Sequence, residues 1–310
     1  MGVNIEDYTT EEINQDTWNI DTVSTYEAIK MINREDHKIA AAVEKEIPVI
    51  AEAVDKIVAQ LEKGGRMIYI GGGLSGRIGI LDSSEVAPSF RTPYEMVQGL
   101  IAGGSEAIYK VLTGVEDDTE QVKNDLLEIG LKASDTVIGL SASGGTPYVV
   151  SGLSFAKEYR CLSIGVVNNS NSRIAEVADL TINVIVGPEA ITGSTRMKAG
   201  TAQKMVVNML STGVMIKLGR VYKNLLIFVE ISNDKLFERV IRAFRAASNT
   251  DEKTASEYLK KADNNAALAL VMWKFKIGSD EAREILKRAN GNIQLAMQNK
   301  TSDANTIIFE

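Results

Sequence analysis

The run from Arg66 to Pro88, RMIYIGGGLSGRIGILDSSEVAP, constrains the fold of this 310-residue chain more than any other stretch. Met67, Ile68, Tyr69 and Ile70 are a short, unbroken series of apolar residues, the pattern of a strand buried on both faces. The series stops at Gly71, Gly72 and Gly73. Leu74, Ser75, Gly76 and Arg77 follow and lead into helical spacing at Ile78, Ile80 and Leu81. A strand, a glycine turn and a helix start leave backbone N–H groups and the positive end of a helix dipole facing the turn, and that geometry binds anions. Ser75 adds a hydroxyl that can accept from the backbone or donate to a phosphate oxygen. Beyond the first helical turns stands Glu85. A carboxylate near an anion site must face away from it or have a chemical reason to be there.

The same alternation continues down the chain. Strands are expected at Met67 to Ile70, Val97 to Ala102, Thr136 to Leu140, Leu162 to Val167 and Leu180 to Val186. Between them lie helical patterns at Ser75 to Asp82, Glu106 to Leu112, Thr119 to Ile129, Tyr148 to Tyr159 and Arg173 to Val177. Short apolar strands separated by helices predict an α/β fold, a parallel five-stranded sheet covered on both faces, with ligands at the C-terminal strand ends. Before the sheet, residues 1 to 22 are polar and aperiodic and are expected to be extended or partly ordered. Two helical stretches follow, divided by Pro48, which either kinks one helix or opens a second. A long helix is expected from Thr195 to Leu218, with Met197, Met205 and Met209 facing inward, and a strand-like piece at Asn224 to Ile231. The remainder is helical and contains a repeat. Glu257 to Asn265 is echoed by Glu284 to Asn292, and Leu268-Ala269-Leu270 by Leu295-Ala296-Met297; each copy reads as a helix end, a turn and a new helix. The expected division is an N-terminal segment with helices (1–55), the sheet domain (56–232) and a C-terminal helical, UBA-like accessory domain (233–310).

Composition narrows the function. A net charge of −7 with scattered Lys and Arg argues against nucleic acid or an anionic membrane surface as the main partner and for a small molecule. No apolar run approaches a membrane span. The one cysteine, Cys161, excludes an intramolecular disulfide and points to a reducing, cytoplasmic setting. With a single histidine, His37, on a charged helical segment, neither a His/Cys metal cluster nor a Ser-His-Asp triad is expected.

Chemistry is left to the loops. Ser141-Ala142-Ser143-Gly144-Gly145-Thr146-Pro147 combines three hydroxyls, two glycines and a helix start, which suits a sugar phosphate; equally, Thr146 and Pro147 could be an ordinary cap and first helical residue. Glu116, in Gly114-Val115-Glu116-Asp117-Asp118, is either a helix-dipole partner or, together with Glu85, half of an acid–base pair. The loop after the fifth strand carries Glu189, Thr192, Ser194, Thr195, Arg196 and Lys198; its cations could meet a phosphate or a substrate carboxylate, or the loop could pack on the long helix or on another subunit.

At GGGLSGRIGILDSSEVAPSF, GVEDD, SASGGTPYV and GPEAITGSTRMKAGTAQKMVVNMLSTG, the chain resembles the sugar isomerase (SIS) domains and, more narrowly, the N-acetylmuramic acid 6-phosphate etherases. The last of these stretches is also shared with the glucokinase regulatory protein, and the similarity extends from about Ser24 into the C-terminal helices. The resemblance implies a cofactor-free lyase of peptidoglycan recycling that releases D-lactate and N-acetylglucosamine 6-phosphate, working as a homodimer with sites near the subunit interface. It implies Glu85 as proton donor to the lactyl oxygen and Glu116 as base at C2. It further implies Ser75, Ser141, Ser143 and Thr146 as phosphate-binding hydroxyls; with Gly76 and Gly144 of the two glycine-bearing loops and Ser194, Arg196 and Lys198 of the loop after the fifth strand, they make up the expected substrate-binding set. Leu74 stands where these enzymes commonly carry Thr, Gly145 where they commonly carry Arg, and Val86-Ala87 where Cys-Pro is usual. A non-catalytic sugar-phosphate sensor, akin to the regulatory protein, is the alternative of a different class.

Overall fold

The computed structural model describes residues 8–231 and 233–298. The chain forms two compact units. One is built from residues up to Glu85 together with Pro93–Val214; the other joins Val86–Thr92 to the residues from Met215 onward.

Of the segment expected to be extended or partly ordered, residues 1–7 lie outside the described residues; the rest carries 3-10 turns at Thr9–Glu11 and Gln15–Thr17. Thr10, Asn14 and Thr17 are buried, and their polar atoms are matched by loops far away in sequence: Asn14 Nδ2 donates to Pro188 O at 3.1 Å and Thr17 Oγ1 to Ala190 O at 2.8 Å. The segment is aperiodic because it folds on irregular loops, which impose no repeat on its buried positions. Helix α1 (Thr25–Glu44) starts at Ser24, whose hydroxyl accepts from Glu27 N. Helix α2 (Ile47–Leu61) has Pro48 in its first turn, so the proline opens a second helix, where its missing N–H leaves no bond unmade.

Strand β1 (Met67–Gly71) is wholly buried and leads into α3 (Gly73–Phe90). That helix runs past its expected end at Asp82. Ser83 and Ser84, which interrupt the apolar spacing, return their hydroxyls to the carbonyls of Ile80 and Leu81 at 3.0 and 2.9 Å and so stay within the helix. Then come β2 (Val97–Ile101), α4 (Gly104–Tyr109), α5 (Gln121–Glu128), β3 (Thr136–Ser141), α6 (Pro147–Glu158), β4 (Leu162–Val167), α7 (Arg173–Val177) and β5 (Leu180–Asn183). All neighbours pair in parallel in the order β2-β1-β3-β4-β5, with Met67 opposite Val97 on one side and Thr136 on the other. Asp135 fixes this start: its carboxylate accepts from Arg66 N and from the Arg66 guanidinium, at 2.7 Å to Nη2. One face of the sheet is covered by a core containing Ile68, Ile70, Val137, Tyr148, Val149 and Leu153.

Helix α8 (Lys198–Lys217) carries Val206, Leu210 and Val214 inward, but Met209 is exposed. In the second unit, α9 (Asp234–Ser248), α10 (Glu252–Lys261), α11 (Ala266–Phe275), α12 (Ser279–Arg288) and α13 (Ile293–Gln298) enclose Phe244, Leu259, Leu268, Leu270 and Ile293. The repeat is structural. Asp263, Asn264 and Asn290 take left-handed conformations after α10 and α12, and Asn265 and Asn292 then accept from Leu268 N and Leu295 N to start the next helix. Asn224 to Ile231 is not a strand. Apart from one bridge between Tyr222 and Leu225 it is irregular, and its apolar run is there because Ile227, Phe228 and Val229 enter the helical core.

Candidate active site

The sheet order reverses at β1: the chain moves from β1 to β2 on one side, and then β3 lies on the other. Loops leaving adjacent β1 and β3 therefore diverge and open a crevice at their C-terminal ends. Both loops are built to let backbone approach. At Gly76, in the first turn of α3, a Cβ would lie 2.5 Å from Ile101 Cγ1 and 2.7 Å from Gly71 O, so only glycine lets the helix start this close to the sheet. Ser75 beside it is buried.

In the second loop Ser141 Oγ is the hub. It lies 2.8 Å from Thr146 Oγ1 and 3.3 Å from Ser143 Oγ, and accepts from Gly144 N at 3.1 Å; Ser143 Oγ accepts from Gly145 N at 3.2 Å. Gly144 has φ +71° and would place a Cβ 2.1 Å from Ser172 Cβ. Thr146 stands at the cap position of α6 but makes no side-chain cap bond, because its hydroxyl turns to Ser141. The loop is thus a hydroxyl cluster over an uncapped helix start.

Glu116 joins the first loop. It lies in a 3-10 turn, Val115–Asp117, and the capping of α5 falls to Asp118, which accepts from Glu120 N and Gln121 N. Released from that role, the Glu116 carboxylate packs on the glycines: Oε2 is 2.8 Å from where a Cβ of Gly72 would stand, and Oε1 2.9 Å from that of Gly73. Burial of the carboxylate, with Asp117 adding to it and Arg77 opposing, raises its pKa. Arg77 itself is no anion ligand: its guanidinium donates to the carbonyls of Ala107, Ile108 and Lys110.

Glu85 is not brought to this carboxylate within one chain. It is exposed, twelve residues after Gly73 on α3, which at helical rise is roughly 18 Å along the axis from the glycine loop.

The loop before α8 divides its residues differently from the cradle. Ser194 is half-buried, and Arg196 is exposed with no ion-pair partner among the described residues. Lys198, by contrast, is 1% exposed, and its Nζ meets Glu35 Oε2 at 2.6 Å, while Glu35 Oε1 takes Lys38 at 2.6 Å. Burial alone would raise the Glu35 pKa, but the hydrogen bonds from Lys198 and Lys38 outweigh it and hold the pKa below its ordinary value. Glu189 accepts from Lys198 N and Ala199 N at 2.8 and 2.9 Å and so caps α8. Lys198 is therefore committed to a buried ion pair. Glu35 escaped notice in the sequence, although it sits four residues before Ile39 on the buried stripe that continues through Ala42 and Val43. Asn169, 1% exposed, was also missed: it joins the hydroxyl loop to the N-terminal segment through Ala142 O and Thr10. No group of three or more His, Cys, Asp or Glu able to hold a metal occurs among the described residues, and none of their helices is long and apolar enough to cross a membrane.

Residues 49–157 match the glucokinase regulatory protein N-terminal SIS domain, and residues 109–213 match the SIS domain. The chain is 48% identical over 296 residues to the N-acetylmuramic acid 6-phosphate etherase of Clostridium beijerinckii, covering 96% of this chain and 97% of that one. It is 47% identical over 298 residues to the etherase of Clostridium acetobutylicum, covering 96% and 99%. The chain belongs to the N-acetylmuramic acid 6-phosphate etherase family. Within that family it carries a hydroxyl cradle without a lysine or arginine in the β3 loop, and Leu74 in the first loop covers Gly200 of α8, its Cδ2 2.6 Å from the point a Cβ there would occupy.

Proposed function

We propose that the protein cleaves the D-lactyl ether of N-acetylmuramate 6-phosphate, as a carbon–oxygen lyase. The observation that carries the reading is the carboxylate of Glu116 lying on the same glycine loop that opens the anion-binding helix start, beside the Ser141 hydroxyl cluster, in a chain of the etherase family. Ser75, Ser143, Gly144, Thr146 and the backbone of Gly76 would hold the phosphate, with Ser194 and Arg196 at the rim. In the open-chain aldehyde the C2 proton is acidified by the carbonyl. A base takes it, the electron pair forms the C2–C3 double bond, and the lactyl oxygen leaves C3 as it gains a proton. Water then adds at C3 and a proton returns to C2, giving N-acetylglucosamine 6-phosphate and D-lactate. A carboxylate with a raised pKa suits the base at C2, so Glu116 takes that role and Glu85 the protonation of the lactyl oxygen.

The span along α3 makes the two carboxylates one site only if a second subunit supplies one of them. Glu85 shares its helix face with Leu81, one turn earlier, and Leu81 is 48% exposed. A bare leucine next to a catalytic carboxylate supports a face covered by a second copy. Tyr109 and Val111, 87% and 86% exposed, add to the apolar surface available to a homodimer. Residues 233–310 would form an accessory helical domain of this assembly. The sensor alternative is not favoured, since a sensor needs no carboxylate at the glycine loop.

The test is D-lactate release from N-acetylmuramate 6-phosphate by the purified protein. Wild type should release it, and Glu85→Gln and Glu116→Gln should each lose on the order of 10²–10⁴-fold in rate. Saturable binding of the sugar phosphate with no lactate would overturn the enzyme reading.

A further inference from the structure

The residue that faces Gly145 comes from the far end of the chain. Tyr8 Oη lies 2.9 Å from the position a Cβ on Gly145 would take, and Ser143 Oγ lies 3.8 Å from that same point. Gly145 is not among the glycines with positive φ, so its backbone would accept a side chain. What the missing side chain provides is room for the phenol. Tyr8 is half-buried, and its hydroxyl has no hydrogen-bond partner among the described residues.

Tyr8 is also held where it is. Thr9 Oγ1 donates to Asn169 Oδ1 at 3.0 Å and Thr10 N to the same oxygen at 3.3 Å, while Asn169 Nδ2 donates to Thr10 Oγ1 at 3.1 Å and to Ala142 O at 2.9 Å. Both protons of the Asn169 amide are thus used, one on the N-terminal segment and one on the hydroxyl loop. Asn14 and Thr17 pin the continuation of the segment to Pro188 and Ala190. These bonds tie the segment to the loops that follow β4 and β5, and a one-residue slip would break them.

We propose that Tyr8 is a ligand-binding residue of the phosphate pocket, its phenol hydroxyl donating to a phosphate oxygen in the space that glycine at position 145 leaves open. The proposal rests on the sugar-phosphate reading above. The reason is a shortage of donors: the loop has no Lys or Arg, and Ser141 and Thr146 already share one hydrogen bond between them. A phenol fixed beside Ser143 supplies a further O–H without adding charge to the pocket.

Calorimetric titration of N-acetylglucosamine 6-phosphate into the full-length protein tests this. Tyr8→Phe should bind about tenfold more weakly than wild type with an unchanged thermal midpoint, the scale of one hydrogen bond to a charged group. Inorganic phosphate should weaken by the same factor. Gly145→Ala should reproduce the loss by displacing the phenol oxygen, and in the Tyr8→Phe background it should add nothing, because the ring carbon is 4.0 Å away once the oxygen is gone. Equal binding by wild type and Tyr8→Phe overturns the assignment alone, as does a loss confined to the sugar phosphate or accompanied by a lowered thermal midpoint. Absence of sugar-phosphate binding in wild type overturns it together with the reading beneath it.

Discussion

The hydroxyl loop after β3 and the loop before α8 both read as places for a phosphate, and the fold uses them in opposite ways. In the first, Ser141, Ser143 and Thr146 bond to one another and to adjacent N–H groups, so the donors stay gathered at the crevice. In the second, the cation that looked available, Lys198, is drawn into the interior by Glu35, and Glu189 spends its carboxylate on the start of α8. The difference follows from side-chain length and charge. A short hydroxyl can be satisfied by a neighbour and still face a ligand, whereas a buried ammonium requires a full counter-charge, and the partner that supplies it holds the group inside the protein. The cradle keeps its hydroxyls available for the proposed phosphate, and the clasp before α8 holds the scaffold.

Breaking the clasp should have the largest effect. Glu35→Leu leaves Lys198 buried without its partner and should destabilise the fold by about 3–5 kcal/mol, read by chemical denaturation. Because the Glu35 pKa is lowered, the wild-type advantage is present above the unfolded value of 4.5 and fades as pH falls through the folded one. Ser141→Ala should do the converse. Stability should drop by only about 1 kcal/mol, while KM for the sugar phosphate rises about tenfold. Equal losses of stability in the two variants would erase the distinction between cradle and clasp. The smallest expected effect belongs to Glu116. Its pKa is raised, so the folded chain is penalised above that value and not below the ordinary 4.5. Glu116→Gln should therefore melt higher than wild type at pH 8 and equally at pH 4, while losing activity under the proposed mechanism.

Much of this was legible in the sequence, and the misses share a cause. The five strands, the glycine loop and the Ser141 cluster announce themselves through local pattern: an apolar run, a break and a helix start. The end of α3 was misread because Ser83 and Ser84 look like a stop when their hydroxyls in fact bond back into the helix. The run Ile227 to Val229 looked like a strand because burial in a helical core and burial in a sheet leave the same short apolar mark. Glu35, Asn169 and Tyr8 matter through partners about 160, 160 and 140 residues away, distances over which no local pattern operates. The spacing from Gly73 to Glu85 was in plain view. Its meaning needed the helix to be continuous, since only then are Glu85 and Glu116 separated by more than three turns.

That separation gives the most direct test of the central claim, that each active site takes Glu85 from one subunit and Glu116 from the other. Glu85→Gln and Glu116→Gln proteins, each expected to be inactive alone, are unfolded, mixed in equal amounts and refolded so that subunits redistribute, and D-lactate release is measured. Half of the resulting dimers should be mixed, each with one intact and one doubly altered site, so about a quarter of the wild-type rate should return. Refolded mixed dimers that stay as inactive as their parents would contradict the shared site.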